Sequence, residues 1–241
     1  MNEIIRSLLE RKSVRSFTEE KVPDELKEII IKCATEAPTA GNQQLYTILD
    51  ITDDDIKEML SHSCDNQPFI SKASIVLIFC ADCKKWYDAY LSIGLDTRKP
   101  SYGDMLLAVE DAMISAQNAV VAAESLGLGS CYIGDILEHR DYHKKLLSLP
   151  DYVMPIGMLV MGYPSESAKT RVKPQRADIK YIVHENSYRT LSGDELKEML
   201  GYQKGAATYE EWLTAFCKRK YESEFSLEMS DSARDYIGEY D

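Results

Sequence analysis

The amino-acid sequence predicts a mixed α+β fold in which helices and strands alternate irregularly. Several segments repeat apolar residues at helical spacing, whereas the short apolar runs at 45–51, 75–80 and 156–161 are typical of strands. The steady strand–helix–strand rhythm that would indicate a parallel, doubly wound sheet is missing. With 241 residues, 44% of them hydrophobic, the chain can bury a sizeable core, and one well-filled domain is the simplest expectation.

The expected elements follow from local patterns along the chain. Residues 3–10 repeat Ile and Leu at helical spacing, and 23–37 is the clearest helix, because a proline suits its first turn and Pro38 stops it. The longest helical pattern runs from 104 to 126, with regularly placed alanines and a terminal Gly127. The other expected elements are a strand at 45–51, a short acidic helix at 53–60, a strand at 75–80, a turn-rich stretch at 127–135, a helix near 141–148, a strand at 156–161, a basic loop at 169–176, and helices near 192–200 and 208–220.

The composition argues against several classes of function. With 40 acidic against 28 basic residues, the formal net charge is −12, which repels a nucleic-acid backbone. The N-terminus carries no apolar stretch of signal-peptide length, and no later apolar run has the length expected of a membrane span. We therefore expect a cytoplasmic protein without nucleic-acid or membrane partners. In that compartment the six cysteines are expected to be reduced, including Cys80 and Cys83, whose odd offset in a strand places them on opposite faces.

Two basic clusters interrupt this acidic sequence. Residues 11–15, Arg-Lys-Ser-Val-Arg, place three cations and a hydroxyl within five residues, and guanidinium groups match the geometry of a phosphate. Residues 169–176 supply a second cluster more than 150 positions later. The two clusters could meet around one phosphate, although bases at a helix end or in a solvated loop are also common without a ligand.

Two further segments carry residues suited to a flat ligand. Residues 37–44 combine a hydroxyl with three carboxamides, which offer a donor and an acceptor to a flavin pyrimidine ring, a nucleobase or a peptide, although a plain turn is the alternative. Residues 127–135 follow a long helix and lack the spacing of a dinucleotide fingerprint, but their glycines allow the backbone to approach a flat ligand. His139 and His143 have a spacing that can bind metal, but no H-E-x-x-H accompanies them and we expect no metal site.

Taken in order, these segments resemble the FMN-dependent nitroreductase family, from about residue 3 to residue 185. Residues 11–17 are similar to the family's R-x-S-x-R-x-F opening, residues 37–44 to its A-P-S-x-x-N-x-Q loop, and residues 127–134 to its G-L-G-x-x-x-I-G stretch. The resemblance implies a three-layer α+β fold with helices flanking a mixed, mostly antiparallel sheet, and a long central helix at the interface of a homodimer. One departure is Leu45-Tyr46, which stands where many relatives have Pro-Trp.

The resemblance also implies which residues bind the cofactor. Those expected to bind the FMN phosphate and ribityl chain are Arg11, Lys12, Ser13, Arg15, Lys173 and Arg176, with Arg171 as an alternative to either of the last two. Those expected to read the pyrimidine edge or to place backbone beside the ring are Asn66, Gln67, Ile133 and Gly134, the last with its N–H near the reactive flavin nitrogen. Those expected to reach the flavin of the partner subunit are Pro38, Thr39, Ala40, Asn42 and Gln44.

The C-terminal residues fall outside the matched motifs. We expect an FMN-binding domain at 1–190 and a helical extension at 191–241 that packs on the core or on the partner subunit. The segment 84–103 is rich in Trp and Tyr and is the candidate for choosing the acceptor, because aromatic faces stack on flat substrates.

The implied reaction is ping-pong: NADH or NADPH reduces FMN and leaves, and a small acceptor such as a nitroaromatic or a quinone then takes the electrons. Because the flavin carries the chemistry, no protein general acid or nucleophile is expected. Two alternatives stay open. The same scaffold could serve reductive dehalogenation or flavin-dependent dehydrogenation, or the protein could bind flavin without turnover. No ribose-reading motif decides between NADH and NADPH.

Overall fold

A computed structural model describes residues 1–241, and its centre is a four-stranded sheet. The strands are β1 (Tyr46–Asp50), β2 (Ile75–Asp82), β3 (Gly129–Ile133) and β4 (Val153–Gly162), in the spatial order β1-β2-β4-β3. Every neighbouring pair is antiparallel, and one isolated parallel bridge joins Ser13 to Ser130. The sheet and the helices around it confirm the predicted α+β class.

The α-helices are α1 (Glu3–Glu10), α2 (Asp24–Thr35), α3 (Asp54–Ser63), α4 (Lys84–Ser92), α5 (Tyr102–Ser125), α6 (Arg140–Leu146), α7 (Glu166–Thr170), α8 (Gly193–Leu200), α9 (Tyr209–Tyr221) and α10 (Glu224–Ile237). Helix α5 contacts α2 and all four strands. Its buried face carries small side chains, among them Ala108, Ala112 and Ala119, which are fully buried. Small residues let the helix axis approach the sheet closely, as the alanine pattern of the sequence predicts.

Alternate residues of β2 enter two separate hydrophobic clusters, because successive side chains of a strand point to opposite faces. Ile75, Leu77 and Phe79 pack with α2 and α5 on one face. Val76 and Ile78 pack with α3 and the turn after β3 on the other. Helical layers therefore cover both faces of the sheet, and the core lies between them.

The chain divides into two compact units. The first comprises Met1–Arg171 and Glu228–Asp241, and the second comprises Val172–Leu227. In the first unit, Tyr236 and Tyr240 are buried in a cluster with residues of the sheet and α5. In the second, α8 and α9 each begin with a capping box and are joined by an ion pair, Lys197 to Glu210. These units are defined by contacts, and the expected domain division after residue 190 stays a prediction.

Strand β3 lies inside the stretch that was expected to be turns. Its glycine and serine disfavour a strand intrinsically, but its backbone is paired to β4 and to the N-terminal segment. Tertiary pairing therefore overrides local propensity here. The helices α4, α7 and α10 were also not predicted, and α7 occupies the beginning of the basic stretch that was expected to be a loop.

Helix α5 is long and apolar enough to cross a membrane when judged by length and composition alone. This differs from the sequence-based expectation that no segment reaches that length. Half of the most apolar part of α5 is buried within the protein.

Candidate active site

The basic segment at residues 11–15 is fixed along the edge strand β3. The Val14 N–H donates to the Ser130 carbonyl at 2.9 Å, and Ser13 and Ser130 form a parallel bridge. A Cβ at Gly129 would lie 2.6 Å from a methyl carbon of Val14, so only glycine allows this approach. The R-x-S-x-R motif and the G-L-G motif thus lie against each other in space.

The same segment continues onto the end of β4. Phe17 pairs with Pro164, and the Thr18 N–H donates to the Tyr163 carbonyl at 2.9 Å. The Ser165 N–H in turn donates to the Ser16 carbonyl at 3.0 Å. This pairing brings the start of the second basic cluster beside the first.

Lys12 binds the backbone at the start of that second cluster, within the first unit. Its ammonium donates to the carbonyl of Lys169 at 2.7 Å and also to the carbonyl of Arg171. An ammonium group has three protons, so one is left for a further acceptor. The structure therefore gives Lys12 a role in shaping the site that the sequence-based assignment did not include.

Arg11 has a polar atom that the protein leaves unsatisfied. Its Nη2 donates weakly to the Ser130 hydroxyl at 3.5 Å, whereas its Nε is buried and has no hydrogen-bond partner. Burial raises the pKa of the Cys131 thiol, and the nearby Arg15 and Arg11 charges oppose that rise. A buried guanidinium N–H that has no partner in the protein is suited to an anion such as a phosphate.

Gly134 lies exposed at the end of β3, directly after the buried Ile133. A Cβ at Gly134 would meet no atom within 4 Å, so the space above this backbone is open. The Gln67 side-chain amide donates to the Cys64 carbonyl at 2.8 Å and to the carboxylate of Asp135. These bonds place Gln67 next to the Gly134 turn.

Asn66 precedes Gln67 in a left-handed conformation, with φ of 50°. Its side chain is exposed, and its amide oxygen lies 3.2 Å from Nδ1 of His62. The structure therefore brings residues 11–15, 66–67 and 129–134 into one group of candidate residues.

Residues 38–44 form a separate loop that is held by a buried carboxylate, Asp111 on α5. The Ala40 and Leu45 N–H groups donate to Asp111 at 3.0 and 3.1 Å, and the Thr39 hydroxyl donates to it as well. The Thr39 hydroxyl also accepts from the Gln44 N–H at 2.8 Å. The sequence-based reading missed Asp111, although an acid on the alanine-rich face of α5 was a signal for it.

The other bonds of this loop also stay away from the group around Arg11. Gln44 donates its side-chain amide to the Thr35 carbonyl at 3.2 Å, and the Trp86 indole donates to the Gln43 carbonyl at 2.7 Å. Pro38 and Asn42 are exposed. Of the candidate residues of this loop, Pro38, Asn42 and Gln44 therefore lie at the surface, and Thr39 and Ala40 are half-buried.

An aromatic cavity of about 190 Å³ adjoins the same loop. Its walls include Trp86, Tyr87 and Tyr90 from α4, with Arg98 and Asp104 at one side. Arg98 and Asp104 form an ion pair, and the Arg98 hydrogen bond holds the pKa of Asp104 below its usual range. The aromatic segment of the sequence therefore lines a cavity beside the loop at 38–44.

Lys173 and Arg176 lie in the second unit. Lys173 is half-buried and Arg176 is exposed, while Arg171 is the last residue of the first unit and is exposed. Their assignment to the phosphate stays a prediction.

Comparison with known proteins places these features in context. The family model described as "Nitroreductase family" matches residues 8–163. The chain is 31% identical to FMN reductase (NADPH) of Bacillus subtilis over 100% of its own length and 96% of the relative. It is 35% identical to the oxygen-insensitive NADPH nitroreductase of Salmonella typhimurium, over 87% of this chain and 83% of that protein. The structure of NfrA1 nitroreductase from B. subtilis superposes with a TM-score of 0.85 at 28% identity and covers 98% of each chain.

The fold and the grouped residues thus define an α+β oxidoreductase of the flavin-dependent class. Within that class, the chain belongs to the nitroreductase family.

Proposed function

We propose that this protein transfers hydride from NAD(P)H through bound FMN to a small oxidised acceptor, such as a nitroaromatic or a quinone. The observation that carries the proposal is the position of Arg11, whose buried Nε has no hydrogen-bond partner, beside Ser130 on β3, the strand that ends at the open backbone of Gly134. The relatives whose names state FMN reduction and nitroreduction support the same reaction.

The residues fit an FMN molecule in charge and in shape. Arg11, Ser13 and Arg15 would hold its phosphate and ribityl chain, because the guanidinium groups supply charge-assisted donors. Lys12 would donate its remaining proton to the same phosphate. Lys173 and Arg176 stay the candidates from the second basic cluster. When bound, FMN supplies the hydride chemistry.

The ring of the cofactor has its own candidate residues. Asn66 would offer its amide to the pyrimidine edge and Gln67 its amide oxygen, because both N–H protons of the Gln67 side chain are bound within the protein. The backbone of Ile133 and Gly134 would lie beside the ring. The Asp135 carboxylate keeps the Gln67 side chain beside the Gly134 turn. The protein's part in the reaction is therefore binding, orientation and charge.

We further propose that the protein works as a cytoplasmic homodimer in which the loop at 38–44 serves the partner's cofactor. The loop is held by Asp111 and presents Pro38 and Asn42 at the surface. Apolar side chains are also exposed along two helices: Ile4, Ile5, Leu8 and Leu9 on α1, and Leu106, Leu107 and Ile114 on α5. Exposed apolar patches of this kind are typical of subunit interfaces.

Anaerobic absorbance spectroscopy of the FMN-loaded protein tests the proposed reaction. NADH or NADPH should bleach the flavin band, and a nitroaromatic or a quinone should restore it. Protein that gains no flavin band with FMN would refute the cofactor assignment. A band that NAD(P)H leaves unchanged would instead favour a flavin-binding module without turnover.

A further inference from the structure

Three potential metal ligands meet outside the candidate flavin residues. Glu138 follows a short 3-10 turn after β3, His139 is the next residue, and Glu228 lies on α10. One ligand atom from each residue lies within 4.8 Å of the ligand atoms of the other two. This cluster brings together residues that are far apart in the sequence.

The backbone around the cluster is firmly tied. The His139 N–H donates to Glu228 Oε1 at 2.8 Å, and His139 Nδ1 lies 3.2 Å from the same oxygen. The Arg140 N–H donates to the Ser232 hydroxyl at 2.9 Å, and that hydroxyl donates to the Leu137 carbonyl at 2.6 Å. These bonds fix the backbone at residues 137–140 against α10 and hold the Glu228 carboxylate beside His139.

Two oxygen atoms in this cluster have no partner. Glu138 is only 4% exposed, and its Oε1 makes no hydrogen bond. The Oε2 atom of Glu228 is also buried and unpaired. A buried carboxylate oxygen without a donor costs free energy, so these atoms indicate a missing positive partner.

The neighbouring cations do not supply that charge. Arg140 and Lys144 both pair with Glu239 and with a further acid each, Asp141 and Asp151 respectively. Both cations are therefore already paired with acids outside the cluster.

We propose that Glu138, His139 and Glu228 bind a divalent transition-metal ion of the zinc or manganese type. Two carboxylates and one imidazole suit these ions better than calcium or magnesium, which prefer oxygen ligands alone. An ion pair between protonated His139 and Glu228 accounts for the 3.2 Å contact but leaves Glu138 Oε1 unpaired. The metal gives both unpaired carboxylate oxygens a positive partner. It also links α10, through Glu228, to the turn after β3.

The test uses the FMN-loaded full-length protein freed of metals with a chelator. Titration with ZnCl₂ by calorimetry, and with MnCl₂ by the loss of the free-ion EPR signal, should each give one site per chain. The midpoint of thermal unfolding should rise with the concentration of the cation, because the ion binds only the folded state. Neither readout depends on enzyme activity.

Three variants and one control assign the site. Glu138→Gln, Glu228→Gln and His139→Asn should each weaken binding by at least about tenfold. Glutamine at 228 keeps an acceptor for the His139 N–H, and asparagine tolerates the left-handed backbone of His139, for which φ is 51°. Asp235→Asn removes an exposed carboxylate from the same helix and should leave binding unchanged.

Two outcomes would overturn the proposal. One is the lack of saturable binding of either ion by the wild-type protein at millimolar concentration. The other is unchanged binding in the folded variants, which would assign the ion to other surface acids. If one variant does not give a native circular dichroism spectrum, the other two decide the matter.

Discussion

The Nε atom of Arg11 is the residue-level feature on which the cofactor assignment depends most. An unsatisfied buried donor costs about 1–3 kcal/mol, and an anionic ligand removes that cost. The sequence alone could not single out Arg11, because three cations within five residues are equally consistent with a solvated helix end. The pairing of residues 13 and 14 with β3 favours a phosphate-binding cluster over a solvated helix end. The paired residues are more than a hundred positions apart in the sequence.

Replacing Arg11 tests this assignment. We expect Arg11→Ala to weaken FMN binding by about 10- to 100-fold, since a charge-assisted bond contributes about 1.5–3 kcal/mol. Flavin fluorescence quenching during titration of the apoprotein measures the dissociation constant. Arg219→Ala, at an exposed arginine on α9, is the control and should bind FMN as the wild type does. Equal affinity in the two variants would contradict the assignment.

Gly129 and Gly134 allow a paired test, because the same substitution has different consequences at the two positions. Gly129→Ala forces a methyl group into Val14 and should lower the free energy of unfolding of the apoprotein by about 1–3 kcal/mol. Gly134→Ala meets nothing in the protein and should leave that stability unchanged. If the flavin ring lies against this backbone, the added methyl should weaken FMN binding by about tenfold. Urea unfolding without FMN and a fluorescence titration with FMN separate the two effects.

Among the elements, the long amphipathic helices were predicted closely, and the edge strand was not. Helix α5 extends over Tyr102–Ser125 against an expectation of 104–126, because twenty or so residues of regular apolar spacing leave little ambiguity. Strand β3 has five residues, and its pairing partners are distant in sequence, so no local pattern predicted it. Asp111 was overlooked although its place on the alanine-rich face of α5 indicated a buried acid, because its partners lie in a loop some seventy positions earlier.

The loop at 38–44 depends on Asp111, which accepts two hydrogen bonds from the loop and a third from the Leu45 N–H that follows it. Asp111→Asn replaces one acceptor oxygen with a donor that faces other donors. We expect it to lower the free energy of unfolding by about 2 kcal/mol. Glu110→Gln, an exposed neighbour on α5, is the control and should change stability little. Urea denaturation of both variants provides the comparison, and an unperturbed Asp111→Asn protein would show that the loop is held by other contacts.

The start of α5 gives a pH-dependent prediction. The hydrogen bond from Arg98 lowers the pKa of Asp104 in the folded protein. Partial burial opposes this effect, and a hydrogen bond from the Ser101 N–H adds to it. A lowered pKa means that the stabilisation is present above the unfolded pKa of about 4 and is lost as the pH falls through the folded value. Because the Arg98 side chain is 68% exposed, we expect less than about 1 kcal/mol.

Thermal unfolding as a function of pH checks this contribution. The difference in midpoint between wild type and Asp104→Asn should be positive at neutral pH and should shrink below about pH 4. Asp96→Asn, at an exposed position in the same segment, should show no such trend. A difference that does not change with pH would mean that the stabilisation does not depend on the Asp104 charge.

At the level of the assembled protein, the loop at 38–44 lies apart from the group around Arg11. If the loop serves the partner's cofactor, as proposed, each FMN site contains residues of both subunits. In a heterodimer of an Arg11→Ala chain and an Asn42→Ala chain, one cofactor site carries both changes and the other carries neither. We therefore expect half of the sites to bind FMN with wild-type affinity. Co-expression with two affinity tags isolates the heterodimer, and flavin titration counts the tight sites.

The alternative arrangement gives a different count. If each site were built within one chain, both sites of the heterodimer would carry one change and no site of wild-type affinity would exist. Light scattering of the wild-type protein after size exclusion establishes whether a dimer forms at all. The two measurements together separate failure of dimerisation from failure of the shared-site proposal.

The chain leaves its first unit after Arg171 and returns to it at Glu228, and both of these positions are anchored within that unit. The Arg171 carbonyl accepts from Lys12, and Glu228 accepts from the His139 N–H. Residues 172–227 are therefore an insertion whose two flanking residues are hydrogen-bonded to the first unit. A segment of this kind can be exchanged between related proteins, or can diverge quickly in sequence, while the first unit keeps its fold. Since Lys173 and Arg176 lie at the beginning of this segment, its exchange would also exchange two of the residues proposed to hold the phosphate.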